Sequence, residues 1–224
     1  MTAASIEQQG EAGEKGERHC VRLGLQMENR YSLAMKVLLL LLILSPLLVS
    51  GCSSSPPRNV NNVCSIFDEK GGWYDDAKDA SERWGTPVHV LMAIIRHESS
   101  FRADAKPPRT ELLGFIPWTR PSSAYGYAQA LDTTWDEYDD EAGGWFADRD
   151  DFEDAVDFVG WYTAKSHRQL GISKWDARAQ YLAYHEGQGG YARGTYKRKR
   201  WLMRKANRVQ RTANDYAVQL KRCG

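Results

Sequence analysis

One glutamate lies where its carboxyl group could act as an acid at neutral pH. Glu98 comes near the end of an apolar helical stretch that begins after Thr86-Pro87. On a helical projection it falls about 20° from Leu91, on the same apolar stripe. Burial against apolar side chains disfavours the charged form of a carboxyl group and raises its pKa, as general acid catalysis requires. The alternative is a glutamate in a frayed last turn that points into water, and Glu98 alone does not separate the two.

Two later segments contain residues that could bind a ligand. In residues 123–129, Gly126 would let the backbone approach a ligand closely, and Gln129 supplies an amide that can donate and accept hydrogen bonds. Residues 183–191, with the sequence Ala-Tyr-His-Glu-Gly-Gln-Gly-Gly-Tyr, end a helix in a glycine-rich turn. Each segment by itself is equally compatible with a turn whose polar groups are satisfied within the chain.

Taken together and in this order, the three segments resemble the lytic transglycosylases of the soluble-lytic-transglycosylase (SLT) type, relatives of goose-type lysozyme. That family carries a Glu-Ser pair, a Gly-x-x-Gln motif and an Ala-Tyr-Asn motif. The matching residues here are Glu98-Ser99, Gly126-Tyr127-Ala128-Gln129 and Ala183-Tyr184-His185. The resemblance implies an all-α, lysozyme-like domain over residues 63–224, with a glycan-binding groove. It makes Glu98 the catalytic residue, and it points to substrate binding by Ser99, Gly126, Tyr127, Gln129, Tyr184, His185 and Tyr191.

The resemblance also implies a reaction that uses one carboxyl group and no cofactor. Glu98 would protonate the β-1,4 glycosidic oxygen between N-acetylmuramic acid and N-acetylglucosamine in peptidoglycan. It would then take the proton of the C6 hydroxyl, which closes a 1,6-anhydro ring. Tyr184 would hydrogen-bond Glu98 or the acetamido group of the sugar, and Gln129 would hold a sugar.

The chain departs from the family pattern in three places. His185 replaces the usual Asn, Glu186 adds a second acid, and the loop between Arg102 and Ser123 is longer than is common. Two alternatives therefore stay open. One is a hydrolytic muramidase in which Glu186, or an acid from residues 132–157, activates water. The other is a peptidoglycan-binding lipoprotein without catalytic activity.

No metal site is predicted. Residues 97–101 begin like the zinc-binding motif His-Glu-x-x-His, but the fifth residue is Phe101, so the second histidine ligand is missing. For stacking on sugars, only Tyr127 and Tyr191 are predicted, because they lie in the motifs, whereas most of the Trp residues are expected in the core.

Four helices are predicted from apolar periodicity and terminal signals. The first starts with Thr86 as N-cap and Pro87 at the first helical position. The second covers 151–170, the third runs from a Ser173 cap to about Tyr184, and the last spans about 201–220. The proline-rich residues 102–123 cannot form a regular helix.

The N-terminal segment resembles an export signal. Residues 1–34 are interpreted as untranslated or disordered, with Met35 as the initiator and residues 35–51 as a lipoprotein signal peptide. Cys52 would carry the lipid, and residues 52–62 would form a flexible tether. This predicts a protein anchored through Cys52 to the periplasmic face of the outer membrane in a Gram-negative bacterium.

The remaining cysteines and the charge pattern complete the expectations. Cys64 and Cys223 are left as a pair, and a pair in an exported protein favours a disulfide over two buried thiols. Residues 132–157 hold 12 acids and one Arg, whereas residues 191–224 hold 11 Lys/Arg and one Asp. These are interpreted as two solvated faces. Export excludes a nucleic-acid partner, and a monomer is expected.

Overall fold

The computed structural model describes residues 55–109, 111–112, 116–117, 122–144 and 146–223. The predicted signal peptide and Cys52 lie outside these residues. The described helices are α1 (Val63–Glu69), α2 (Trp73–Trp84), α3 (Val88–Ser99), α4 (Asp132–Glu141), α5 (Phe152–Leu170), α6 (Ala177–Ala192) and α7 (Arg200–Cys223), with a 3-10 turn at Thr195–Arg198. The predicted helical fold class is confirmed. One small departure is an antiparallel ladder of β1 (Glu111–Leu112) and β2 (Ile116–Pro117) in the proline-rich loop.

Helix α3 occupies the centre of the domain. Its residues 90–95 are completely buried, and it packs against α2, α5, α6 and α7. The sequence predicted an apolar stripe on one face only. In the structure α3 is apolar on all sides, as is typical of a helix surrounded by other elements. The consequence for the site is that Glu98 extends from the end of a helix held on every side.

Two predicted N-caps are wrong, in each case because the hydroxyl group has another partner. Helix α3 starts at Val88 behind Pro87, and the buried Thr86 hydroxyl instead shares a 2.8 Å hydrogen bond with Thr163 of α5. Helix α6 starts at Ala177 behind Asp176, whose carboxylate caps it. The Ser173 hydroxyl accepts a hydrogen bond from the N–H of Trp175 in the turn before α6.

The predicted ends of α5 are confirmed, whereas α6 and α7 are longer than predicted. Asp151 caps α5 by accepting from the N–H groups of residues 153 and 154, and Gly171 ends it in the left-handed region. Helix α6 passes Tyr184 and reaches Ala192, with a kink at Gly187, where φ is 70° and ψ is 160°. The kink redirects the chain directly after the third motif.

A disulfide closes the domain, as predicted. Cys64 of α1 is bonded to Cys223 at the end of α7, with a Cα–Cα distance of 5.8 Å. The Gln219 side chain reinforces this junction by accepting from the N–H of Val63 and donating to the carbonyl of Asn61.

The flexible tether predicted for residues 52–62 extends too far. Pro57 is buried, the N–H of Arg58 donates to the Glu69 carboxylate, and the carbonyl of Val60 accepts from the Tyr216 hydroxyl. Residues 57–62 therefore belong to the folded domain. Among the described residues, no helix is both long and apolar enough to cross a membrane.

Candidate active site

Glu98 lies in the last turn of α3, beside α6 and α7. Part of its surface reaches solvent, while protein atoms surround its carboxyl group. This burial raises the pKa of Glu98, and the Lys205 charge, the Tyr181 hydroxyl and the His185 ring oppose the rise. The carboxyl is therefore stabilised as an acid by burial, with groups nearby that stabilise the carboxylate left once the proton is lost.

Tyr181 of α6 and Lys205 of α7 are the neighbours of Glu98 that the sequence reasoning missed. The buried Tyr181 hydroxyl completes no hydrogen bond in the described part of the chain, and it lies close to the Glu98 carboxyl. Burial, followed by the Glu98 charge, raises the pKa of Tyr181 far above its usual range. The Lys205 Nζ lies 5.4 Å from the centre of the Tyr181 ring. Tyr181 could have been found in the sequence, since it precedes Tyr184 by three residues and so shares its helical face.

The backbone that follows Glu98 is strained. In the described residues, three non-glycine residues have positive φ: Ser100 at 55°, Phe101 at 61° and Gln129 at 52°. All three lie next to Glu98 or in the Gly-x-x-Gln motif. Such strain persists only where surrounding contacts enforce it, and it concentrates at functional sites. Here the fully buried Phe101 packs against Trp73 and holds the end of α3 in place.

Gln129 connects two segments near Glu98. Its amide nitrogen donates to the carbonyl oxygens of Ala105 and Gly126, both at 2.8 Å. The N–H of Gly126 in turn donates to the carbonyl of Ala105 at 3.0 Å. Both amide hydrogens of Gln129 are therefore used to hold the loop after α3 against the Gly-x-x-Gln loop.

Tyr184 connects α6 to the same loop. Its hydroxyl donates to the carbonyl of Ala128 at 2.7 Å. Burial, followed by the nearby Glu98 charge, raises the pKa of Tyr184 well above its usual value. The sequence predicted that this hydroxyl bonds Glu98 or the sugar, but its observed partner is the carbonyl of Ala128. Tyr184 instead positions Ala128 and passes close to the carboxyl group.

A groove of about 260 Å³ lies beside Glu98. Its wall includes Tyr184 and His185, which are also neighbours of the Glu98 carboxyl, so the groove and the acid meet at these two residues. Other lining residues are Gln129, Leu131, Thr134, Tyr162 and Glu186. Apolar and polar side chains both line the groove, as is usual for sites that bind small ligands.

A family model described as a transglycosylase SLT domain matches residues 39–223. The chain belongs to this family. The match covers all three motifs and every described helix. No curated protein was found to match the chain at a significant level.

Several motif residues of this SLT domain are structural rather than exposed to a ligand. Tyr127 is 1% exposed and packs edge-on against Trp73 and Phe152, so its nomination as a sugar contact is wrong. Ser99 is buried too, and its hydroxyl donates to the carbonyl of Ile95 at 3.4 Å. Tyr191 stacks on Tyr196 and does not line the groove.

Position 126 needs a glycine because another part of the SLT domain approaches it closely, not because a ligand does. Its φ is 77°, and a Cβ atom at this position would lie 1.9 Å from the carbonyl oxygen of Arg149. The same carbonyl accepts from the N–H of Tyr127. Arg149 also donates to the carbonyl of Ala130 and the carboxylate of Asp132. The single Arg of the acidic segment therefore organises the Gly-x-x-Gln loop.

Glu186 is a poor candidate for a second catalytic acid or base. Its side chain is 3% exposed and bonds to Thr195, to Lys199 at 2.6 Å and to His185 at 3.1 Å. Burial by itself would raise its pKa, but the bonds from Lys199, Thr195 and His185 outweigh it and lower the pKa to about 2. A carboxylate this acidic is a weak base, and its lone pairs are occupied.

Two of the acids in residues 132–157 are bound to other side chains of the domain. Asp157 accepts from the side chains of Arg83, Trp84 and Tyr138, and Glu141 accepts from Trp161. None of the groups that act on the Glu98 carboxyl comes from this segment. Within the described residues, no cluster of three or more His, Cys, Asp or Glu side chains could hold a metal ion.

His185, which lines the groove, contacts Trp201 of α7. The Trp201 ring lies 5.1 Å from the His185 ring in an edge-on arrangement, and it is 49% exposed. His97, next to Glu98, points the other way and bonds the Thr212 hydroxyl at 2.9 Å. Burial, followed by the neighbouring cations Arg96 and Lys205, lowers the pKa of His97 to about 4, so its ring is neutral near pH 7.

Proposed function

We propose that this SLT domain cleaves the glycan strands of peptidoglycan without water, at the β-1,4 bond between N-acetylmuramic acid and N-acetylglucosamine. The observation that carries the proposal is a single buried carboxyl, Glu98, beside a groove in which the other acid is bound to a lysine. The family match supports glycan as the substrate. A reaction that needs one carboxyl group fits this arrangement better than the usual pair of carboxylates.

The first step uses Glu98 as an acid. Its proton passes to the glycosidic oxygen, the bond from that oxygen to C1 breaks, and the acetamido group of the same sugar stabilises C1. Burial raises the pKa of Glu98 and so favours the protonated form that this step requires. The Lys205 charge and the Tyr181 hydroxyl then stabilise the carboxylate that remains.

The second step uses Glu98 as a base. The carboxylate takes the proton of the C6 hydroxyl while the oxygen of that hydroxyl bonds to C1. The product carries a 1,6-anhydro ring, and Glu98 regains its proton. Gln129 and Tyr184 act on both steps only through backbone position, since their donors are bonded to carbonyl oxygens.

Substitution of Glu186 separates this reaction from hydrolysis. Glu186→Gln is expected to change the cleavage rate less than about fivefold, because the nucleophile is a hydroxyl of the sugar and needs no second acid. Loss of the bond to the half-exposed Lys199 should lower stability by about 1 kcal/mol. Rates are measured on sacculi well below the melting temperature, with Glu137→Gln as control, since Glu137 also pairs with a lysine, Lys165. A rate loss above about 100-fold, specific to Glu186, would point to hydrolysis with Glu186 as base.

We also propose that the mature protein starts at a lipidated Cys52 and faces the periplasm from the outer membrane. The support is the signal-like sequence before Cys52 and the Cys64–Cys223 disulfide, a bond typical of exported proteins. Cys52→Ser should leave an unprocessed or soluble form in membrane fractionation. Intact-mass measurement of the wild-type protein should show a lipid on Cys52, and an unmodified Cys52 at the mature N-terminus would refute the anchor.

A further inference from the structure

Four arginines form a row along the outer side of α7. Arg200, Arg204, Arg208 and Arg211 are all exposed, and their spacing of four, four and three residues places them within about 80° of one another. This row, called the arginine face below, extends over about 16 Å of helix. The buried stripe of α7, which includes Leu202 and Val209, lies on the opposite side.

The arginine face lacks acidic partners in the described part of the chain. None of its four guanidinium groups forms an ion pair or hydrogen bond there, although other arginines of the domain, such as Arg83 and Arg149, do. Asp215 lies one turn beyond Arg211, but in the described residues the two form no ion pair. Like charges four residues apart on a helix repel one another. Such a row is most stable when it binds a molecule that carries negative charge.

The arginine face is continuous with the candidate active site. Trp201 and Lys205 project between this face and the buried stripe. Trp201 contacts His185 on the groove wall, and Lys205 acts on the Glu98 carboxyl. A polymer that leaves the groove past Trp201 would therefore run along the arginines.

We propose that the arginine face binds the carboxylate groups of the peptide stems carried by the glycan strand in the groove. This inference rests on the proposed function, since it takes peptidoglycan as the substrate. Muramic acid carries its peptide on the lactyl group, so stems project sideways from a bound strand, and each stem carries free carboxylates. The planar guanidinium group of arginine pairs with carboxylates through two parallel hydrogen bonds. Anionic lipid is the other possible ligand of such a face, but the contact between Trp201 and His185 connects the arginine face to the groove and favours the glycan strand.

The test compares binding to substrates with and without stems. Arg204→Gln/Arg208→Gln is prepared in a Glu98→Gln background, so that the ligand stays intact during pelleting with sacculi. Lys221→Gln/Arg222→Gln, which removes two exposed charges from the far end of the same helix, is the matched control. Each protein is bound to intact sacculi by pelleting, and to the glycan strands that an amidase frees of stems and cross-links by a solution method such as fluorescence anisotropy. All variants are checked by circular dichroism, and Arg200→Gln/Arg211→Gln serves as a second pair.

The arginine pair should weaken binding to intact sacculi by about three- to tenfold at low salt, since one exposed ion pair changes an equilibrium by up to about fivefold. Binding to stripped glycan should change less than twofold, and Arg204→Lys/Arg208→Lys should recover part of the loss. Equal loss on both substrates, or equal loss in the control, would overturn the inference. Binding to vesicles of anionic phospholipid is measured as well. If the arginine pair lost binding to the vesicles alone, the arginine face would be assigned to a membrane. Product chemistry is not measured here, so an error about the reaction leaves this comparison interpretable.

Discussion

Glu98→Gln is expected to lower the rate of glycan cleavage by about 10⁴-fold or more. Positioned acid–base groups contribute about 10²–10⁴ in rate each, and Glu98 serves in both steps. Glutamine keeps the size of the side chain but neither supplies nor accepts the reacting proton. Binding to sacculi should stay within about twofold of wild type. Glu82→Gln, on an exposed position of α2, is the control and should keep full activity. Cleavage by Glu98→Gln within tenfold of the wild-type rate would remove Glu98 from the mechanism.

Glu98→Gln should not lower stability at neutral pH, although it lowers activity. This expectation follows from the raised pKa of Glu98. Between the unfolded and the folded pKa of this group, the folded state holds more protons than the unfolded state, so wild-type stability falls as pH rises through this range. Glutamine does not titrate. Glu98→Gln should therefore melt at or above the wild-type temperature at pH 7, and the difference should shrink toward pH 4. The stability difference between Glu98→Gln and wild type is measured at both pH values. If it favoured the variant less at pH 7 than at pH 4, the burial of this carboxyl would be contradicted.

Removal of the disulfide should produce the largest loss of stability. Cys64→Ser/Cys223→Ser is expected to lower the free energy of unfolding by about 2–5 kcal/mol, since the bond links residues 159 apart and restricts the unfolded chain strongly. For a domain of this size that loss corresponds to a drop of roughly 5–15 °C in melting temperature. Denaturant unfolding of wild type, with and without reductant, gives the comparison. The double variant should be insensitive to reductant, and a loss below about 0.5 kcal/mol would show that the junction of α1 and α7 is held by its other contacts.

Features that depend on local pattern could be predicted from the sequence. The apolar periodicity before Glu98 predicts a buried helix with an acid at its end, and the leftover cysteines predict the Cys64–Cys223 bond. Asp151 and Gly171 mark both ends of α5, because capping depends on residues only a few positions away. Thr86 and Ser173 show the limit of this approach. Their hydroxyl groups suit an N-cap, but partners in the folded chain take them instead.

The roles of the motif residues could not be predicted, because they depend on contacts between distant segments. A motif shows that a residue type is needed, and the structure shows why. Gly126 avoids the carbonyl of Arg149, and Gln129 holds the loop that contains Ala105. Lys205 is 107 positions beyond Glu98 in the sequence and reaches it only because α7 packs against α3. Spacing along one helix carries no information about such a neighbour.

The mass of the products released from sacculi tests the central claim most directly. Anhydro ends are one water lighter than hydrolysed ends, so mass spectrometry of the muropeptides distinguishes closure of the sugar ring by its own C6 hydroxyl from attack by water. Wild-type protein should release 1,6-anhydromuramoyl products almost exclusively, and no incorporation should occur in ¹⁸O-labelled water. Products with ordinary reducing ends that contain ¹⁸O would show that the domain hydrolyses glycan and would contradict the one-carboxyl mechanism assigned to Glu98.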